Sequence, residues 1–411
     1  MTTAAVSPVA DNAQHAGSAR IVSIDIFRGL TMAVMIFVNE LAEVRGLPRW
    51  TYHMPANVDA MTYVDMVYPF FLFIVGLSFP LSIRHRLKKN PSTLALWMHI
   101  LLRSLCLVVL GLILANAEKG NGALMGINPN LWAVLALLGG VLLWNVYPGL
   151  DRSATIVRVL RGAGLVLMVA MFAIFRRTAH DGHTAWIDFS YPEILGLIGL
   201  TYFAVSLLYV PTRRWLWSPL AGFIVLVAFN CASIAKWITF SSHWPMYVWP
   251  FDNGAMASLI MAGVVVSTIF LGSHRWKTHR QKTIMAVIFG VACLIAGWLL
   301  TPLGISKIRA TPTWALYCAG AATLSFALLH WICDVKQRSS WAKFVHSAGS
   351  NTLMTYLLPD FYAYLLPLMG LLYFETHFSV GWPGVLKSVV FTGFILAVSA
   401  LLTRLKVRMQ L

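Results

Sequence analysis

His53 sits in a short polar connection, residues 45–59, between two long apolar runs. An imidazole with an ordinary pKa near 6.5 takes up a proton at neutral pH, so it can act as a general base or as an acyl-carrying nucleophile. Asn39 lies near the end of the run before it and Asp65 near the start of the run after it. A carboxylate bonded to one ring nitrogen fixes the tautomer and leaves the other nitrogen free. An amide N–H can steady a developing oxyanion. His53, Asn39 and Asp65 are therefore the expected catalytic set, gathered at one end of the molecule. The competing reading makes Asp65 a helix cap and His53 a solvated loop residue.

A second group stands further from His53. Asp25 and Arg28 are three apart, on one helical face, and can pair with each other. Arg28 can instead hold an anionic ligand such as a nucleotide diphosphate. Arg103, Asn351 and Asp360 also lie inside apolar runs. An ionisable side chain within a span costs ~2.5–3.5 kcal/mol on insertion scales, so Arg103 and Asp360 each carry a functional expectation.

The elements that position these residues are helices. Of the 411 residues 58% are hydrophobic and only 11% charged, against about 25% charged in soluble domains. We read about twelve runs (10–12) near the ~20 residues that cross a bilayer: 24–42, 62–83, 98–116, 127–147, 156–175, 191–210, 217–236, 254–272, 283–302, 313–333, 350–373 and 380–403. The expected fold is an all-α polytopic helix bundle, because an open strand cannot satisfy its backbone in lipid. Residues 1–19 read as a disordered cytoplasmic tail without a removable signal peptide, and 20–411 as one transmembrane domain.

The net charge of +16 is distributed by topology. Alternate connections are rich in Arg and Lys, from the 84–89 cluster to Arg404, Lys406 and Arg408, while acids favour the others. This pattern places both termini in the cytoplasm and the His53 loop outside. It makes anionic lipid, and not nucleic acid, the partner of the excess charge. Arg176 and Arg177 break the rule. The five cysteines lie in apolar runs without metal-type spacing, so neither a metal nor a disulfide is expected. No P-loop, G-x-S-x-G or H-E-x-x-H motif is present. On residue types alone, a secondary transporter suits twelve spans with internal Asp and Arg equally well.

Several motifs narrow the choice. Asp25-Ile-Phe-Arg-Gly29, Phe37-Val-Asn39 and the segment from Thr62 through Asp65 to Gly76 (T-Y-V-D-M-V-Y-P-F-F-L-F-I-V-G) are accompanied by Arg103, Ile305-Ser-Lys307 with Trp314, Asp334, and Gly349-Ser-Asn351 with Tyr356. Together they resemble the heparan-α-glucosaminide N-acetyltransferase family and its bacterial relatives. The resemblance implies a membrane acetyltransferase of the bacterial inner membrane. Acetyl-CoA would be supplied from the cytoplasm and its acetyl group passed to the amine of a glucosamine-type sugar outside, with His53 as the catalytic residue. The residues expected at the acyl donor are Arg28, Arg103 and Asn351, and those expected at the acceptor are Lys307, Trp314 and the mid-span Asp360. A homodimer is allowed. Two departures stand out: His53 is followed by Met-Pro-Ala-Asn-Val-Asp-Ala without the family's usual Trp, and residues 123–132 lack the arginines that the family carries before its fourth span.

Overall fold

A computed structural model describes residues 21–147, 154–179, 181–239, 249–271, 276–371 and 373–409. The tail 1–19, most of the Trp- and Pro-rich stretch 243–253, and Arg275 of one basic connection fall outside these residues. Each of the twelve apolar runs is a helix: α1 Val22–Ala42, α2 Val64–Lys89, α3 Thr93–Ala117, α4 Pro129–Trp144, α5 Thr155–Ile174, α6 Glu193–Thr212, α7 Ser218–Ile234, α8 Ala255–Leu271, α9 His279–Leu299, α10 Pro312–His330, α11 Thr352–Met369 and α12 Gly381–Arg404. Eight of them are long and apolar enough to cross a membrane. The protein is an all-α polytopic membrane bundle.

Length separates three of the remaining four, and composition the last. With 17 residues, α8 is ~25 Å long at 1.5 Å per residue, short of a ~30 Å hydrocarbon core. It is buried at every position except Thr268 and Leu271, so protein surrounds it on all sides. Chains α4 and α7 are similarly short, and α11 carries Asp360 with Pro359 and Pro367.

Glycines set the closest approaches. A Cβ on Gly76 of α2 would stand 1.8 Å from the Ile260 carbonyl oxygen of α8, and one on Gly263 of α8 would stand 2.0 Å from that of Phe73. The same reciprocal crossing joins α4 to α5 through Gly139 and Gly164, α9 to α10 through Gly290 and Gly320, and α1 to the short helix Lys343–Ser350 through Gly29 and Gly349. Gly111 brings α3 against the backbone of Pro192 and Gly196 at α6. Apolar side chains gain little by leaving lipid for protein, so membrane helices associate by such backbone-to-backbone packing.

The connections gather at two ends. At the end bearing His53, Arg45 bridges Val380, Asp59 pairs with Arg309, and Lys119 pairs with Asp188 at 2.7 Å. At the other, the strand pair Asn145–Val146 and Arg408–Met409 forms, Arg84 donates to the Leu271 carbonyl at 3.1 Å, and Asp334 accepts from the amides of Val22 (3.0 Å) and Ser23 (3.2 Å). Asp334 thereby caps α1 from a π-turn, Trp331–Val335, at the end of α10. This second end holds the Arg- and Lys-rich connections and is called the basic end below. The two arginines that broke the charge rule have a local explanation. Arg176 donates to the carbonyls of Ala173 and Phe175 where α5 ends, and Arg177 to that of Trp186. They satisfy helix-terminal and loop carbonyls that would otherwise lack partners.

Candidate functional site

The loop that carries His53 is fastened on both sides by the residue before it. The Tyr52 hydroxyl donates to the Val44 carbonyl and accepts from the Leu47 amide, and the Tyr52 carbonyl accepts from the Thr62 hydroxyl at 2.9 Å. Asp65, only 1% exposed, stands in the first turn of α2. One of its oxygens reaches back to the amides of Thr62 (3.0 Å) and Met54 (3.3 Å). The other lies 2.7 Å from His53 Nδ1. Both readings of Asp65 therefore hold at once: it organises the helix start and it orients the imidazole. The carboxylate accepts from Nδ1–H, which leaves Nε2 as a bare acceptor on a ring that is 44% exposed.

Trp314 supports Asp65 from behind. Its indole N–H donates to the Asp65 backbone carbonyl at 3.1 Å. In an unbroken helix that carbonyl would receive the amide four residues on, but position 69 is Pro69, which has no N–H. Trp314 fills that vacancy and is itself 1% exposed, so it holds the site in place and does not face it. Trp314→Phe should leave the carbonyl unpaired and lower the unfolding free energy by ~1–3 kcal/mol, measurable by thermal unfolding in detergent.

Lys307 arrives from the connection between α9 and α10. Gly304 has a φ of +82° and a Cβ there would meet Asp59 at 2.7 Å, so only glycine allows this approach. Asp59 pairs with Arg309 and accepts from the Ile305 amide at 3.3 Å. The Arg309 hydrogen bond holds the Asp59 carboxyl below its ordinary range. This clasp sets Lys307 Nζ 3.4 Å from His53 Nδ1 and 3.3 Å from Nε2. Burial pushes the Lys307 ammonium down from its usual value, against the pull of the nearby Asp65 charge.

The remaining expected residues lie elsewhere. Asn39 is exposed at the same end of α1 and hydrogen-bonds neither His53 nor Asp65. Asp360 is half-buried in α11, with Glu193 and Glu118 as its charged neighbours, and makes no ion pair among the described residues. Asn351 is 1% exposed and donates to Thr403 (3.2 Å) and the Val407 carbonyl (2.9 Å) while accepting from the Met409 amide (3.3 Å). Its polar atoms are used to pin the C-terminal turn.

Arg28 and Arg103 do meet, as walls of one cavity of about 340 Å³. Ser78, Ser82, Tyr202 and Tyr356 share it. Arg28 bonds Asp25 (3.3 Å), the Gly349 carbonyl (3.1 Å) and the Ser78 hydroxyl (2.6 Å). Arg103 lies over the Tyr202 ring at 5.1 Å, and its Nε is buried with no hydrogen-bond partner among the described residues. Along α2 the cavity runs from Ser82 near the basic end to Phe71, roughly 16 Å at 1.5 Å per residue. Asp65 stands a further ~9 Å along the same helix. Sequence reasoning missed Ser78, Tyr202 and the Asp59–Arg309 clasp. Nothing in their local context marks them, because their partners lie on distant helices or connections.

The chain is similar to heparan-alpha-glucosaminide N-acetyltransferase from Mus musculus and from Homo sapiens, 33% identical to each over 120 residues. That match takes in 29% of this chain and less than a fifth of each relative. A profile describing a domain of unknown function, DUF5009, matches residues 20–269, more than half of the chain, and the protein therefore belongs to that family.

Proposed function

We propose that the protein is a membrane N-acetyltransferase that takes the acetyl group of acetyl-CoA at its basic end and passes it to the amine of a glucosamine-type sugar at His53. The observation that carries this reading is the Asp65–His53 pair, one carboxylate oxygen 2.7 Å from Nδ1 with Nε2 turned toward the amine of Lys307, at the head of the helix that also lines the arginine-walled cavity. The cavity volume falls within the ~300–1,000 Å³ usual for small-molecule sites. The guanidinium of Arg103, with its unpartnered Nε, suits the phosphates of CoA. A thiol arm entering there would have to extend along α2, past Phe71, to bring its acetyl group to His53. The partial likeness to two N-acetyltransferases supports the same reaction class.

In the reaction, His53 Nε2 takes the proton of the acceptor amine as the amine attacks the acetyl carbonyl and the CoA thiolate leaves, or Nε2 first accepts the acetyl group with loss of the thiolate and then yields it to the amine. Asp65 stabilises the imidazolium or acyl-imidazolium that forms. No metal enters either route. The test is transfer of label from radiolabelled acetyl-CoA to a panel of amino sugars by the purified protein. Labelled N-acetyl sugar is the expected product; CoA-independent uptake of solute into proteoliposomes, without acetylation, would favour a transporter.

Arg103→Ala should raise the KM for acetyl-CoA ten- to a hundredfold, since a hydrogen bond to a charged group is worth ~1.5–3 kcal/mol. Its kcat at saturation should change little. We place the basic end and both termini in the cytoplasm of a bacterial inner membrane, on the basic-loop alternation. An impermeant thiol reagent should then label Met54→Cys from outside and spare Lys88→Cys. The reverse pattern would invert the direction of transfer.

A further inference from the structure

We propose that Lys307 is itself an acetyl acceptor: when no amino sugar is bound, the acetyl group delivered to the His53 pocket passes to the Lys307 side-chain nitrogen. The inference rests on the acetyltransferase reading and adds a modification site to it. Lys307 Nζ lies 3.3 Å from His53 Nε2, the atom that would take the proton or carry the acetyl group. That is about the hydrogen-bond reach a general base needs to the proton it takes, so the primary amine of Lys307 already stands where the amine of a sugar must come. Among the described residues, Lys307 makes no ion pair, and the one ring nitrogen free to accept from it is His53 Nε2, since Nδ1–H is given to Asp65.

Other lysines are held differently. Lys119 is paired with Asp188 at 2.7 Å, Lys387 with Glu40 at 2.8 Å, and Lys282 donates to the Phe270 carbonyl at 2.8 Å. Burial favours the uncharged form of Lys307, and the free amine is the nucleophile. The step balances simply. The Nζ–C amide bond forms, the thioester C–S bond breaks, one Nζ proton moves to His53 Nε2, and the CoA thiolate leaves and is protonated. Along the two-step route the bond broken is the one from the acetyl carbon to Nε2, and the thiol has already left. The product, an acetyl-lysine against the imidazole, occupies the place of the acceptor and blocks the next turnover. A bound sugar amine displaces Lys307 and protects it.

The experiment is incubation of the purified full chain with acetyl-CoA alone, followed by intact-mass measurement and peptide mapping. The expected result is one acetyl group, on Lys307, absent from Lys307→Arg and suppressed by saturating glucosamine. In His53→Ala it should form about 10²-fold more slowly or less, the lower bound for loss of a general base. Acetylation of a sugar while Lys307 stays unmodified under acetyl-CoA alone would overturn the inference and leave the acetyltransferase reading standing. So would labelling of Lys307 at an unchanged rate in His53→Ala, or of Lys119 at the same rate, which would mark non-enzymatic acetylation. Transfer to neither amine overturns both.

Discussion

His53→Ala should reduce acetyl transfer to an amino sugar by at least ~10²–10⁴-fold, the range for removal of a general base, and more if the histidine carries the acetyl group. The fold should survive. His53 is exposed, and the loop on either side is held by Tyr52 and Thr62 and not by the imidazole. The measurement is sugar acetylation beside thermal unfolding for each variant. Asp65→Asn should show an intermediate loss: the amide can still bond Nδ1 but cannot stabilise a cationic ring. Near-native turnover of a folded His53→Ala protein would remove this residue from the mechanism.

Gly76→Ala should be the most damaging single methyl group. The added Cβ would lie 1.8 Å from the Ile260 carbonyl oxygen, and the obstacle is backbone of a helix buried on all sides, not a flexible side chain. Overpacking of this kind typically costs 1–3 kcal/mol, and more where nothing can yield; we expect ~3 kcal/mol or above. Because Asp65 rides on the same helix, transfer should fall with stability. Gly162→Ala and Gly393→Ala, whose new methyl groups meet nothing within 4 Å, are the matched controls. Both lie within helices, where replacing glycine typically gains ~0.4–1 kcal/mol. Equal melting temperatures for Gly76→Ala and Gly162→Ala would refute this account of the α2–α8 crossing.

Much of this architecture is legible in the chain because burial in lipid imposes one rule on the backbone: every run of apolar residues must become a helix. Twelve runs correspond to twelve helices, with ends displaced by a few residues where capping intervenes. The pairing of His53 with Asp65 could be anticipated because both belong to adjacent elements and twelve positions separate them. The role of Trp314 could not. Pro69 announces an unpaired carbonyl at Asp65, but the indole that answers it is 249 positions away. Lys307 was expected near the acceptor, yet its contact with the ring depends on Gly304, Asp59 and Arg309 meeting across two connections. Asn351 shows the opposite failure. An amide within an apolar run and a family-like motif suggests ligand binding, and its hydrogen bonds are made within the chain.

The capping of α1 by Asp334 bears on how the protein is made. Two sets of contacts made by residues 304–334 finish the first two helices: Gly304, Lys307, Arg309 and Trp314 around His53 and Asp65, and at the opposite end the carboxylate that closes the start of α1. A ribosome that has finished α2 has synthesised His53 and Asp65 but none of these. The first two helices must therefore wait in the bilayer, one with uncapped amides and the other with a free carbonyl at Asp65, until the tenth helix leaves the translocon. The matched family region ends at residue 269, so a fragment cut at that boundary would contain the histidine and its aspartate and still lack a finished pocket.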